Sequence, residues 1–203
     1  YSIVELESEG GSHRLVLAQT LVSVNITQEH KIVGTIKGSD LVGLGYTPLY
    51  HPQEFGSQVQ RFVRRAGPGG MVTELEDTSE FAPEVISADF VSLDDGTGIV
   101  HIAPAFGDED LGVGREKELA FVQPVDLQGI ITGNYPFAGK FVKTADKEIM
   151  EDLTDRGLLY HQERSRHTYP VIWRCDTPLL YYAKSAWYKR TSALRDRFVG
   201  GNV

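Results

Sequence analysis

His101 and Asp110 are the two side chains whose types and spacing suggest chemistry. The imidazole sits in the run "GTGIVHIAPAFGDEDLG" (96–112), and nine positions later the carboxylate closes the acidic triplet Asp108, Glu109, Asp110. An imidazole among apolar neighbours serves as a hydrogen-bonded pocket wall, a metal ligand or a general base. One imidazole and one carboxylate are too few ligands to define a metal centre, and no metal is assigned. Covalent catalysis needs a nucleophile beside a base. No serine stands in a Gly-x-Ser-x-Gly elbow, and the single cysteine, Cys175, lies in an aromatic stretch, so no nucleophile is assigned. The triplet has two readings: carboxylates at a helix start complement the helix dipole and cap free amides, whereas one aimed into a pocket holds a cation such as a substrate ammonium. Gly96-Thr97-Gly98 opens like a dinucleotide fingerprint, but His101 stands at the third glycine position and strand-like residues surround it. A simpler use is that glycine lets another backbone or a ligand approach closely.

The elements that must position these residues read mainly as short strands. Residues 3–6 and 14–18 flank the polar turn "ESEGGSH" and predict a hairpin; 31–36 predicts a third strand, and 41–46, broken by Gly43 and Gly45, short strands or turns. Residues 65–81 mix Gly, Pro and acids without periodicity and predict a long surface loop. Strands at 85–93 and 99–103, joined through Asp94-Asp95-Gly96, would carry His101. A helix is expected over 108–119, and another over 144–158 with Thr144 as its cap, Ile149, Met150 and Leu153 on one face and Gly157 at its end. From about residue 161 the composition turns aromatic and basic, with Tyr181, Tyr182, Trp187 and Tyr188 spaced as in an extended ribbon.

The 203 residues suffice for one domain, or one domain and a projecting ribbon. One cysteine excludes an internal disulfide, and no apolar run nears the roughly 18 residues of a membrane span, which together predict a cytoplasmic protein. The net charge of −8 excludes bulk electrostatic coating of nucleic acid, yet it is unevenly spread: residues 1–160 hold 12 Lys/Arg against 25 Asp/Glu, and residues 161–203 hold 8 against 3. The carboxy-terminal segment, and secondarily Arg61, Arg64 and Arg65, are where a polyanion would dock if one does.

"GTGIVHIAPAFGDED", followed by "YPVIWRCDTPLLYYAKSAWYKR" and preceded by "KIVGTIKGSDLVGLGYTPLY", closely resembles the editing domain of isoleucyl-tRNA synthetases across essentially the whole chain. The resemblance implies an α+β fold, mainly β with peripheral helices and centred on a β-barrel, with an editing core over 1–160 and a ribbon over 161–203 returning toward the parent catalytic domain. It implies hydrolysis of valine from mischarged tRNA(Ile) by a positioned water. Asp110 then corresponds to the aspartate that binds the substrate ammonium and His101 to the residue that excludes isoleucine, with Phe106 and the Gly96, Thr97, Gly98 segment as pocket wall. ATP and Mg would belong to the catalytic domain, whose signatures are absent here, and the segment itself needs no cofactor. Relatives carry a threonine-rich strand upstream of the position matching Tyr1, so weak or no activity is expected of these residues alone. Ile172 stands where many relatives have cysteine, which sets aside the zinc site of their connective region. A valyl-type editing domain and a noncatalytic tRNA-binding module are the alternatives; for the former a different residue is expected at 101.

Overall fold

A computed structural model describes residues 1–8, 11–67, 70–163, 170–174, 179–186 and 191–200. The fold is α+β and mainly β, built on two three-stranded antiparallel sheets; among the described residues they do not close into a barrel. In the first sheet, β1 (Ser2–Ser8) lies between β2 (Gly11–Leu17) and β3 (His30–Thr35). Strand alternation sends Val4 and Leu6 to one face, where they pack with Leu17 and with Val22 and Ile26 of the short helix α1 (Val22–Asn25) and the turn after it. The predicted hairpin and third strand are therefore present, with an irregularity in the β1–β3 register between Ile3 and Val4.

The second sheet places β4 (Val59–Gly67) between β5 (Gly70–Asp77) and β6 (Ala120–Val122). It corrects the loop expected at 65–81. Arg61 of β4 faces Glu76 of β5 across the ladder, and Arg65 forms a diagonal ion pair with the same Glu76. Phe62 and Phe121 meet edge to face in a core with Ala105, against which Phe106, Leu111 and Ala183 pack.

Three further expectations are corrected. Residues 38–41 form a one-turn helix, α2 (Gly38–Leu41), where only strands or turns were expected. The strands expected at 85–93 and 99–103 do not form: Glu84 makes one isolated bridge to Gly45, and 99–103 belongs to no ladder. Thr144 does not cap the second long helix; its hydroxyl donates back to the Phe141 carbonyl within a 3-10 turn (Val142–Thr144), and α4 (Asp146–Asp155) begins beyond Ala145. Gly157, at φ +67°, supplies the left-handed residue expected after α4. The first long helix, α3 (Asp108–Glu116), starts where the acids predict and ends sooner than expected, because Glu118 takes a left-handed φ of +55°.

Residues 161–203 are described in part. Residues 179–186 lie against the core, the Ala183 amide donating to the Ala105 carbonyl (2.8 Å), and α5 (Thr191–Gly200) is helical. Cys175, Trp187 and Tyr188 lie outside the described residues.

Candidate functional site

Gly96-Thr97-Gly98 forms a turn fastened from three sides. The Ala18 amide donates to the Thr97 carbonyl (2.8 Å), the Asn25 side-chain amide to the Gly96 carbonyl (2.8 Å), and the Tyr1 hydroxyl to the Gly98 carbonyl (2.8 Å). Gly98 is buried at φ +75°, and a Cβ there would stand 2.7 Å from the Cβ of Ala18. Glycine is thus required twice over, for its backbone angle and for the close approach of the Ala18 chain.

Beyond the turn, the backbone N–H and C=O groups of Val100, His101 and Ile102 have no hydrogen-bond partner among the described residues. His101 is exposed and its ring makes no hydrogen bond among the described residues. At Ala103 the chain is held again. Its carbonyl accepts the Phe106 amide (2.9 Å) and its own amide donates to Oδ2 of Asp110 (3.1 Å). Asp110 differs from its neighbours in the triplet: Asp108 and Glu109 are exposed at the start of α3, whereas Asp110 is half-buried and folds back over the helix start. Its Oδ1 has no hydrogen-bond partner among the described residues.

A largely apolar cavity of about 1800 Å³ lies between the two sheets and the loops that join them. Gly98, His101, Ala103 and Phe106 are in its wall, as are Leu180, Tyr181 and Tyr182 from the carboxy-terminal segment. Gly96, Thr97 and Asp110 are not; Asp110 meets the wall through Ala103, whose amide it holds. The cavity far exceeds a small-ligand pocket, typically about 300–1,000 Å³, so a valine-sized recess can be only one corner of it.

Tyr50, which also lines the cavity, belongs to a polar cluster that the sequence did not single out. The Tyr50 hydroxyl donates to Oδ2 of Asp152 (2.6 Å), Arg156 donates to the same oxygen (2.9 Å), and the guanidinium lies 5.0 Å from the Tyr50 ring centre. Burial first, then the bond to and charge of Asp152, push the Tyr50 hydroxyl up to about 12. The bonds from Tyr50 and Arg156 hold Asp152 below the usual carboxylate range. The i, i+4 spacing of Asp152 and Arg156 was visible in the sequence; the partner 102 residues away was not. This cluster fixes α4 beside the aromatic core of Tyr50, Phe55, Tyr135 and Phe137.

The arginines expected as one basic patch are divided by strand alternation. Arg61 and Arg65 share a face of β4, where Arg61 donates to the Glu118 carbonyl (2.8 Å) and Arg65 pairs with Glu76; Arg64 points to the other face. Among the described residues no three His, Cys, Asp or Glu side chains converge as a metal site, and no helix is long and apolar enough to cross a membrane.

No protein-family model matches the chain. Individual proteins do, along its whole length. It is 48% identical over 202 residues to an isoleucine–tRNA ligase of Dehalococcoides mccartyi (strain CBDB1), covering 100% of this chain and 19% of that protein. Against the isoleucine–tRNA ligase of Clostridium novyi (strain NT) the identity is 38% over 203 residues, covering 100% of this chain and 17% of that protein. Against that of Bacillus thuringiensis (strain Al Hakam) it is 37% over 200 residues, or 98% and 17%. The matched residues, with an α+β fold of this composition, define a segment of an aminoacyl-tRNA synthetase. The chain belongs to the isoleucine–tRNA ligase family, and spans about a fifth of the length of the relatives it matches.

Proposed function

We propose that this segment carries a hydrolytic proofreading site that removes valine from mischarged tRNA(Ile) in the cytoplasm. Isoleucyl enzymes are themselves the standard illustration of why such a site is needed: one methylene supplies only about 1–3 kcal/mol of discrimination, so a second pocket must act on what the first admits. The observation that carries the reading is Asp110, a half-buried carboxylate with one oxygen committed to Ala103 and the other without a partner among the described residues, set behind a wall that holds His101 and Phe106.

In this mechanism Asp110 binds the α-ammonium of the valyl group, His101 and Phe106 bound its side chain, and the Gly96-Thr97-Gly98 turn fixes the backbone from which His101 projects. A water attacks the ester carbonyl carbon. The bond from that carbon to the ribose oxygen breaks, the oxygen takes a proton, and free valine and uncharged tRNA leave. Orientation and polar stabilisation lower the barrier, with no acyl-enzyme intermediate. The backbone of Val100, His101 and Ile102, unpaired among the described residues, is suited to receive a strand from elsewhere in the synthetase, which would narrow the cavity to valine size. These 203 residues alone are accordingly expected to edit weakly or not at all. Exposed Arg64 is a candidate contact for the tRNA backbone, with Arg61 committed to the Glu118 carbonyl and Arg65 to Glu76.

The test is Asp110→Ala in the full-length synthetase. Hydrolysis of valyl-tRNA(Ile) should be abolished while isoleucine is still attached normally. Undiminished hydrolysis would remove Asp110 from the mechanism.

A further inference from the structure

We infer that Gly107 is a positioning residue for Asp110, kept free of a side chain so that the carboxylate can fold back over the start of α3; the inference rests on the proofreading reading for its functional consequence, though not for its geometry. Gly107 is the N-cap of α3 at φ −126° and ψ 144°, an extended backbone open to any residue. Its lack of a side chain therefore has no conformational reason. At an N-cap, Ser, Thr, Asp or Asn would stabilise the helix by bonding its free amides, and α3 has no such side-chain cap. The reason lies in space. A Cβ on residue 107 would stand 2.8 Å from Oδ2, 2.9 Å from Cγ and 3.2 Å from Cβ of Asp110.

Those clashes are all with one short side chain. Rotation of Asp110 about χ1 relieves the two shortest contacts and withdraws Oδ2 from the Ala103 amide, while the 3.2 Å contact with Cβ, which χ1 does not move, is met by a backbone shift of a few tenths of an ångström. Asp110 occupies the third helical position, where an acid commonly turns back to the N-cap amide. Here it reaches past the N-cap to Ala103, closing the tight turn in which the Phe106 amide meets the Ala103 carbonyl. Any side chain at 107 thus moves the carboxylate and loosens the wall residue it holds. Gly112, on the same helix, has open space around its Cβ position, and provides the control.

The experiment compares wild-type full-length synthetase with Gly107→Ala, Asp110→Ala, Gly112→Ala and the Gly107→Ala/Asp110→Ala double variant. The readouts are valyl-tRNA(Ile) hydrolysis, hydrogen exchange at the Ala103 amide, and thermal unfolding. Gly107→Ala should speed exchange at Ala103 as Asp110→Ala does, and lower kcat/KM for hydrolysis about tenfold or more, mainly through KM because the ammonium is bound in both ground and transition states. Gly112→Ala should match wild type in both. In the Asp110→Ala background, Gly107→Ala should add nothing to exchange at Ala103, the non-additivity expected of two residues acting through one contact, and unfolding should register only the small cost of an alanine N-cap. Wild-type exchange at Ala103 in Gly107→Ala would overturn the inference, as would an equal effect of Gly107→Ala with and without Asp110. If Asp110→Ala itself retained full hydrolysis, the proofreading reading would fall, and exchange and the double variant would still decide the role of Gly107.

Discussion

Two neighbouring stretches of the candidate site are built in opposite ways. The carbonyls of residues 96–98 are each held from outside the segment, by Asn25, Ala18 and Tyr1. Residues 100–102, two positions on, carry the histidine and make no backbone hydrogen bonds among the described residues. Unpaired backbone groups are tolerated only in contact with water or with a partner, and Val100 is accordingly half-exposed. The lesson is that the fold anchors the entry to the site and its exit at Ala103, leaving the strip between them to be completed by what binds there.

That contrast can be broken most severely at its fastened end. Gly98→Ala forces an alanine into a left-handed φ and a 2.7 Å approach to Ala18, and should cost about 2–4 kcal/mol, seen as a lower denaturation midpoint. Tyr1→Phe removes only the hydroxyl bonded to the Gly98 carbonyl; a loss of about 1 kcal/mol is expected, with faster hydrogen exchange in the segment around Gly98. At the unfastened end, Val100→Thr should change stability by less than about 0.5 kcal/mol, because no packed or bonded neighbour is lost. A cost at Val100 as large as that at Gly98 would dissolve the distinction between the two stretches.

The same contrast explains what the sequence revealed. The β1–β2 hairpin was legible because alternating apolar residues flank a Gly-rich turn, and the start of α3 because three acids crowd one helix end. The β4–β5 hairpin was hidden because its strands are matched by charge across the ladder, Arg61 to Glu76, a pattern that within either strand alone resembles a solvated loop. Strands at 85–93 and 99–103 were over-read: β-prone residues make a strand only where backbone partners lie alongside. Of the site residues, Gly98, His101 and Phe106 stand in the cavity wall and Gly96 and Thr97 do not, whereas Asp110 stands one residue behind the wall, a placement set by the Ala103 amide and invisible in spacing alone. The Tyr50–Asp152–Arg156 cluster was out of reach for the same reason, since its members meet only through the fold.

The most direct measurement is a crystal structure of the full-length synthetase soaked with a nonhydrolysable valyl-adenosine analogue. The ammonium is predicted within hydrogen-bond distance of Asp110 Oδ1, with the valine side chain against His101 and Phe106. An analogue bound elsewhere, with Asp110 still engaged only by Ala103, would contradict the assignment of this segment as the proofreading site.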